Sequence, residues 1–326
     1  MGGILGFQDR YASEEACIQA LAQRRWPQGY ICGGSGGRRS YQLKSRPRVF
    51  ECAGCGQQHS VTAGTVFHRT RTSLRKWFLA AWWMGRDKRG VSALFLSREL
   101  ELRYETAWLM AHKLRHALAA GAHERMTAPL DGLVEVDESY FGGRGKSESR
   151  GRGRSNPNKS LLVMALEKCP VEAGKGIKQS GFVAGQARLA VLASASGEML
   201  RPFVRDTVKP GSQLLTDGFA GYLGLGETYD HRPVVQGKGK NAEQLSPIVH
   251  VLFSNVKTWL NGTYHGVSAK HLPRCVEEWN YRFNRRGRIS ELADFVLNRA
   301  ITHKTITYRE LVKGIQPQEE LPALTG

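Results

Sequence analysis

The sequence predicts an α/β fold preceded by two small modules, on three observations. Short β-type runs alternate with amphipathic helical stretches through the second half of the chain. Two of those runs carry an acid, Asp137 inside one and Asp217 at the end of another. Upstream, Cys52 and Cys55 form a Cys-x-x-Cys pair, with Cys32 nearby, in a stretch too small to have a core of its own.

Charge narrows the partners. Lys and Arg number 47 against 29 Asp and Glu in 326 residues, a net +18. That excess points to a polyanion, nucleic acid before an anionic membrane surface. The longest apolar run, Trp77 to Met84, is too short to cross a bilayer, and no signal peptide is read before the first charges, Asp9 and Arg10, so a cytoplasmic protein is expected. Cysteines at 17, 32, 52, 55, 169 and 275 are too sparse for a disulfide scaffold.

Residues 1–69 read as a zinc-ribbon-like module. A helix over 14–25, capped by Ser13, is followed by two cysteine-bearing turns among short β-like runs. The second turn is intact, but the first reads Cys32-Gly33-Gly34-Ser35, so one of the four expected thiolates is missing. His59 is the candidate replacement beside Cys32, Cys52 and Cys55, and a ribbon remnant without zinc is the alternative.

Residues 70–128 read as a helix-turn-helix module. Helices over 70–84, 91–100 and 104–118 are separated by short turns, and the third carries His112, Lys113, Arg115 and His116 with Arg103 just before it. Positive charge on the third helix, after a short turn, favours DNA contact through Arg103, Lys113 and Arg115; a plain three-helix bundle is the other reading.

Residues 129–288 hold the α/β part. The run from Leu133 to Phe141 is apolar except for its acids, and an Asp in such a run is costly unless paired or bound to a metal. An edge strand with Asp137 in solvent is the plainer alternative. A Gly/Ser/Arg stretch then carries Arg144, Lys146, Arg150, Arg152 and Arg154, read as a loop that grips phosphate. Strands over 161–166 and 188–194, a helix over 198–208 and a strand over 213–219 bring Asp217 beside Asp137 on adjacent central strands. This order is ribonuclease-H-like, the retroviral-integrase-like arrangement. A weaker strand over 229–236, basic Lys238 and Lys240, and helices over 247–260 and 270–286 complete the domain. Residues 289–326 carry one helix, 293–301, and a polar tail, with no chemistry read in them.

Several stretches in this order resemble a bacterial insertion-sequence transposase of the zinc-ribbon, ISXO-type group within the larger DDE class. They are the ribbon, Ser60 to Thr65, Phe67 to Thr70, Leu74 to Phe78, Val136-Asp137-Glu138, Thr216-Asp217-Gly218, Ser254-Asn255-Val256-Lys257, Gly262 to Val267 and Arg282 to Arg286. The resemblance implies a catalytic set of Asp137, Asp217 and Asn255, since the group has asparagine where the class has glutamate. It further implies two Mg²⁺ (or Mn²⁺) ions held by these residues and a phosphate-holding lysine.

For that lysine Lys270 is preferred to Lys257, which at two residues from Asn255 should point away on a helix. Glu138, Glu243, Glu277 and Glu278 are acids that could replace Asn255, and His265, Arg285 and Arg286 are further DNA-contact candidates. The implied function is transposition: binding terminal inverted repeats, cutting DNA and joining it to target DNA, by a homodimer or larger assembly associated with the bacterial nucleoid. The rival is a decayed or domesticated DNA-binding protein without catalysis, and a third reading is a nuclease on the same fold.

Overall fold

A computed structural model describes residues 3–125, 128–142, 159–171, 181–234 and 247–314. It divides into two compact units, 1–121 with 285–312, and 122–284 with 313–326.

The first unit opens with α1 (Ile4–Arg10) and α2 (Glu14–Arg25), whose N-cap is Ser13, its hydroxyl accepting from the Ala16 amide at 3.1 Å. An antiparallel three-stranded sheet follows, β1 (Ser40–Leu43), β2 (Arg46–Cys52) and β3 (Gln58–Ser60). Then come α3 (Leu74–Arg86), α4 (Ala93–Glu99) and α5 (Tyr104–Arg125), with Ser73 and Ser92 capping the first two. Glu14 links three elements: it pairs with Arg48 of β2 at 2.6 Å and accepts from the Leu74 amide at 2.8 Å.

The chain's late helix α9 (Leu292–Thr302) is part of this first unit. It crosses α3 so closely that a Cβ at Gly85 would lie 2.6 Å from the Ala293 nitrogen, and only glycine permits that approach. Arg24 of α2 pairs with Asp294 of α9 at 2.8 Å. A stretch in which the sequence shows no chemistry thus has a structural task. The final helix is α10 (Tyr308–Lys313).

The second unit is a mixed α/β structure. Its strands are β4 (Leu133–Phe141), β5 (Ser160–Pro170), β6 (Phe182–Leu192), β7 (Gln213–Asp217) and β8 (Asp230–Val234), in the order β6-β5-β4-β7-β8. β4 pairs antiparallel with β5, as does β5 with β6, whereas β4–β7 and β7–β8 are parallel. Leu161 to Leu166 of β5 are all buried, as expected of a strand covered on both faces.

One face packs Val134, Val136, Leu161 and Val163 against Leu200, Phe203 and Val204 of α6 (Gly197–Thr207). The other packs Leu162, Met164, Leu166 and Leu189 against α7 (Pro247–Tyr264) and α8 (Leu272–Phe283). Here α7 continues through Gly262, which the sequence reads as a break. The turn falls later, at His265 and Gly266, both with positive φ.

β6 is an edge strand, and its open side is closed by two side chains of α8. The Asn280 amide accepts from the Leu189 N–H at 2.9 Å and donates to its carbonyl at 2.8 Å. Asn284, one turn on, does the same for Ala187, both bonds at 2.8 Å. An i, i+4 pair of asparagines thus imitates a neighbouring strand and satisfies edge groups that would otherwise invite another chain.

Candidate active site

The two aspartates meet because of strand register. β4 and β7 run parallel with Leu133 opposite Gln213 and Glu135 opposite Leu215, and the same offset carried two residues on sets Asp137 beside Asp217. Alternation along β4 puts Val134 and Val136 toward α6 and leaves Asp137 and Ser139 on the side of α7.

Carboxylate oxygens of Asp137, Glu138 and Asp217 all lie within 4.8 Å of one another. Each is held by the local backbone or a neighbour. Asp137 Oδ1 accepts from the Glu138 amide at 2.9 Å, Asp217 Oδ1 accepts from the Phe219 amide at 3.1 Å, and the Tyr222 hydroxyl donates to Glu138 Oε2 at 2.6 Å. Burial raises the Asp137 carboxyl above its ordinary range and the Asp217 charge adds to this, against the opposing effect of His250. Burial, with the Glu138 charge next in weight, pushes the Tyr222 hydroxyl well above its usual value, so it remains the donor. Three converging hard oxygen donors in a partly buried setting fit a divalent cation, whose charge would relieve their mutual repulsion.

α7 brings two further groups. His250 Nδ1 lies 3.4 Å from Asp137 Oδ2, and Lys257 Nζ lies 2.6 Å from the hydroxyl of Ser139, two residues beyond Asp137. Lys257 therefore faces β4, contrary to the expectation that it points away. The reason is the phase of α7: Val249, Leu252, Phe253, Val256 and Leu260 form its buried side, while Val251 is 56 % exposed.

Asn255 lies on the exposed side of α7 and Lys270 is exposed beyond the turn. Among the candidate substitute acids, Glu138 joins the aspartates, and Glu278 is buried with Arg282 and the Tyr264 hydroxyl, each at 3.1 Å. Glu277 sits partly buried on α8, and Glu243 lies outside the described residues. Sequence reasoning missed His250; the signal available was its spacing of one heptad before Lys257 on a helix without an acid.

The ribbon brings Cys32, Cys52 and Cys55 together, with sulfurs within 4.8 Å of one another. His59 Nε2 lies 3.6 Å from Cys32 Sγ, and the Ser35 hydroxyl lies 3.5 Å from Cys52 Sγ. Hydrogen bonding from Ser35, and from the amides and His59 around it, draws the Cys32 thiol down to about 5, so it is a thiolate at neutral pH. A convergent set of three sulfurs of this kind fits zinc.

Two expected DNA contacts on α5 turn inward. Arg115 is 3 % exposed and donates to the Val91 carbonyl at 3.0 Å, and the Lys113 ammonium donates to the Val66 carbonyl at 3.3 Å. They bond loop carbonyls within their own unit, because the apolar face of α5 (Ala107, Met110, Ala111, Leu114) draws its neighbours inward with it. Arg103, His265 and Arg286 are exposed and Arg285 is half-buried. Arg144, Lys146, Arg150, Arg152, Arg154, Lys238 and Lys240 lie outside the described residues. No described helix is long and apolar enough to cross a membrane.

Comparison with known proteins agrees with this composition. The family model of the ISXO2-like transposase domain matches residues 129–284, and that of the transposase zinc-ribbon domain matches residues 12–58. The chain is 28% identical over 287 residues to an uncharacterized protein in transposable element ISH50 of Halobacterium salinarum, spanning 83% of this chain and 91% of that protein. Among solved structures, the Mos1 strand transfer complex and a pre-cleavage Mos1 transpososome each match at 12% identity over 68% of this chain and 76% of theirs. Their TM-scores of 0.21 and 0.20 are too low to bear on the fold. A zinc-ribbon domain and a transposase domain of one family in one chain, with a relative inside a transposable element, make this protein a member of the ISXO2-like insertion-sequence transposases.

Proposed function

We propose that this chain is a working transposase that binds the terminal inverted repeats of its element, cleaves there and joins the freed 3′-hydroxyls to target DNA. The observation that carries this is Asp137 beside Asp217 on adjacent parallel strands, with Glu138 at the same point. The strand order β6-β5-β4-β7-β8 supports a ribonuclease-H-like core, the setting in which such a pair performs phosphoryl transfer.

Asp137 and Asp217 would hold two Mg²⁺ or Mn²⁺ ions, which when bound activate the attacking oxygen and stabilise the leaving one. The chain's own groups do the rest. Tyr222 fixes Glu138 by its hydrogen bond. Lys257 offers a cation beside the carboxylates, where a scissile phosphate needs one. The net +18 supplies sequence-independent attraction to the DNA backbone. α4, the turn and α5, with Arg103 exposed at the turn, support a helix-turn-helix reading, and the zinc ribbon is the second end-binding module. Joining two ends calls for at least two copies of the chain.

The test is strand transfer on labelled DNA carrying the element's ends, with Mg²⁺ or Mn²⁺, beside Asp137→Asn and Asp217→Asn. Joined product that falls by about a thousandfold or more in both variants, with end binding intact, supports the reading. A chain that binds the ends yet neither nicks nor joins them with either metal is instead a DNA-binding protein without catalysis.

A further inference from the structure

We infer that His250 is a further metal ligand of this site beside Asp137 and Asp217, and that it turns the site's preference from Mg²⁺ toward Mn²⁺. The inference rests on the two-aspartate reading above and concerns what α7 contributes to it.

Two contacts to β4 fix the rotation of α7, His250 to Asp137 and Lys257 to Ser139. They are mutually consistent, because seven residues turn a helix by about 700°, within about 20° of two full turns. Asp137 and Ser139 are likewise two apart on one face of β4. With the helix pinned in this way, Asn255 stands five residues from His250, about 140° round the axis, and it is exposed. α7 carries no Asp or Glu anywhere along Pro247–Tyr264. The group that this helix turns toward the carboxylates is an imidazole.

The geometry suits a shared ion. Adjacent ligands on a cation with bonds of about 2.1–2.2 Å lie roughly 3 Å apart, and His250 Nδ1 and Asp137 Oδ2 are separated by 3.4 Å. The His250 side chain is 57 % exposed while that of Asp137 is 14 % exposed, so the imidazole closes the site from the solvent side and can swing onto an ion. A nitrogen donor changes the choice of metal. Mg²⁺ demands hard oxygen ligands, whereas imidazole is a good ligand for transition metals, and Mn²⁺ accepts carboxylate and imidazole together. A surface ion pair between His250 and Asp137 is the plain alternative, and it predicts no nitrogen bonded to the metal.

Mn²⁺ binding to the full, zinc-loaded chain should be followed by the electron paramagnetic resonance of the free ion, with Mg²⁺ affinity from competition. The expected result is that His250→Ala weakens Mn²⁺ by about tenfold or more while Mg²⁺ changes by less than about threefold. Asn255→Ala should bind as the unaltered chain does. His250→Glu should restore binding with a preference moved to Mg²⁺. Nitrogen hyperfine coupling to bound Mn²⁺ should be present in the unaltered chain and absent in His250→Ala, a readout that does not depend on activity or on small changes in folding. Bound Mn²⁺ without nitrogen coupling, or His250→Ala with unchanged Mn²⁺ affinity while Asp137→Ala loses it, overturns the assignment and leaves the two-aspartate site standing. Asp137→Ala with unchanged affinity overturns both.

Discussion

Lys257 donates to the Ser139 hydroxyl over 2.6 Å, which sets an ammonium beside the residue two along β4 from Asp137. Burial lowers the Lys257 pKa while the Asp137 charge holds it up, so the lysine is partly desolvated and electrostatically tied to the carboxylates. A cation in that position is worth more against a phosphate than one in open water. Lys257→Ala is therefore expected to slow strand transfer by about a hundredfold, and Lys270→Ala by less than about threefold. Lys257→Arg should recover part of the loss. Rates on pre-cut end DNA check this; the reverse ranking would return the role to Lys270.

The asparagine pair on α8 makes a prediction about folding. Asn280 is 3 % exposed and satisfies both backbone groups of Leu189 on the open edge of β6. Asn280→Ala leaves a buried N–H and a buried carbonyl without partners, at a cost of about 3 kcal/mol. Asn284→Ala, at a half-buried site, should cost about half as much. Urea unfolding followed by the hydrogen exchange of backbone amides in β5 and β6 measures both. Equal and small effects would mean that water substitutes for the amides.

What could be read from the sequence, and what could not, divides along physical lines. The β4 and β7 acids were legible because a carboxylate in an apolar β-run has few explanations, and the strand order then forces the two together. The helix start at Ser13 was legible because capping is local chemistry, whereas the caps at Ser73 and Ser92 fall inside the stretches 70–84 and 91–100 read as helix. The phase of α7 was not, because apolar residues stand on more than one side of it (Val249, Val251, Leu252, Phe253), and only packing against β5 and β6 selects the buried set. Taking Asn255 as the residue that faces the carboxylates placed Lys257 on the other side of the helix, whereas α7 leaves Asn255 exposed and turns Lys257 to Ser139. Arg115 and Lys113 misled for a related reason: a positive charge is as good a donor to a buried carbonyl as to a phosphate, and periodicity does not tell them apart.

Glu277 gives a pH dependence with a definite sign. Burial raises its pKa from 4.5 to about 7, against the lowering effects of the Asn280 hydrogen bond and the Arg188 charge. Its folded-state pKa thus lies above the unfolded one, so the folded state holds the proton more tightly. The stability associated with this group is present below pH 4.5 and is lost as pH rises to about 7. With partial exposure allowed for, the loss is about 2 kcal/mol. Glu277→Gln should raise the urea midpoint at pH 8 and leave it nearly unchanged at pH 4.5. A gain of equal size at both values would show that the effect is packing and not ionisation.

Ser35 sits where the first cysteine turn lacks its second sulfur, with its hydroxyl 3.5 Å from Cys52 Sγ. A hydroxyl is a far poorer zinc ligand than a thiolate at neutral pH, so three sulfurs would hold a zinc ion and the fourth corner would fall to Ser35 or to His59, which lies 3.6 Å from Cys32 Sγ. Ser35→Cys places a thiol at the existing corner without moving the backbone. It should slow zinc release to a chelator by about tenfold or more, and His59→Ala in that background should then change little. If instead His59→Ala alone releases zinc from the unaltered chain and Ser35→Cys has no effect, the imidazole is the fourth ligand. Zinc content and release, followed with a colorimetric chelator, separate the two outcomes, and the melting of the ribbon should follow the metal, since a fold this small depends on it.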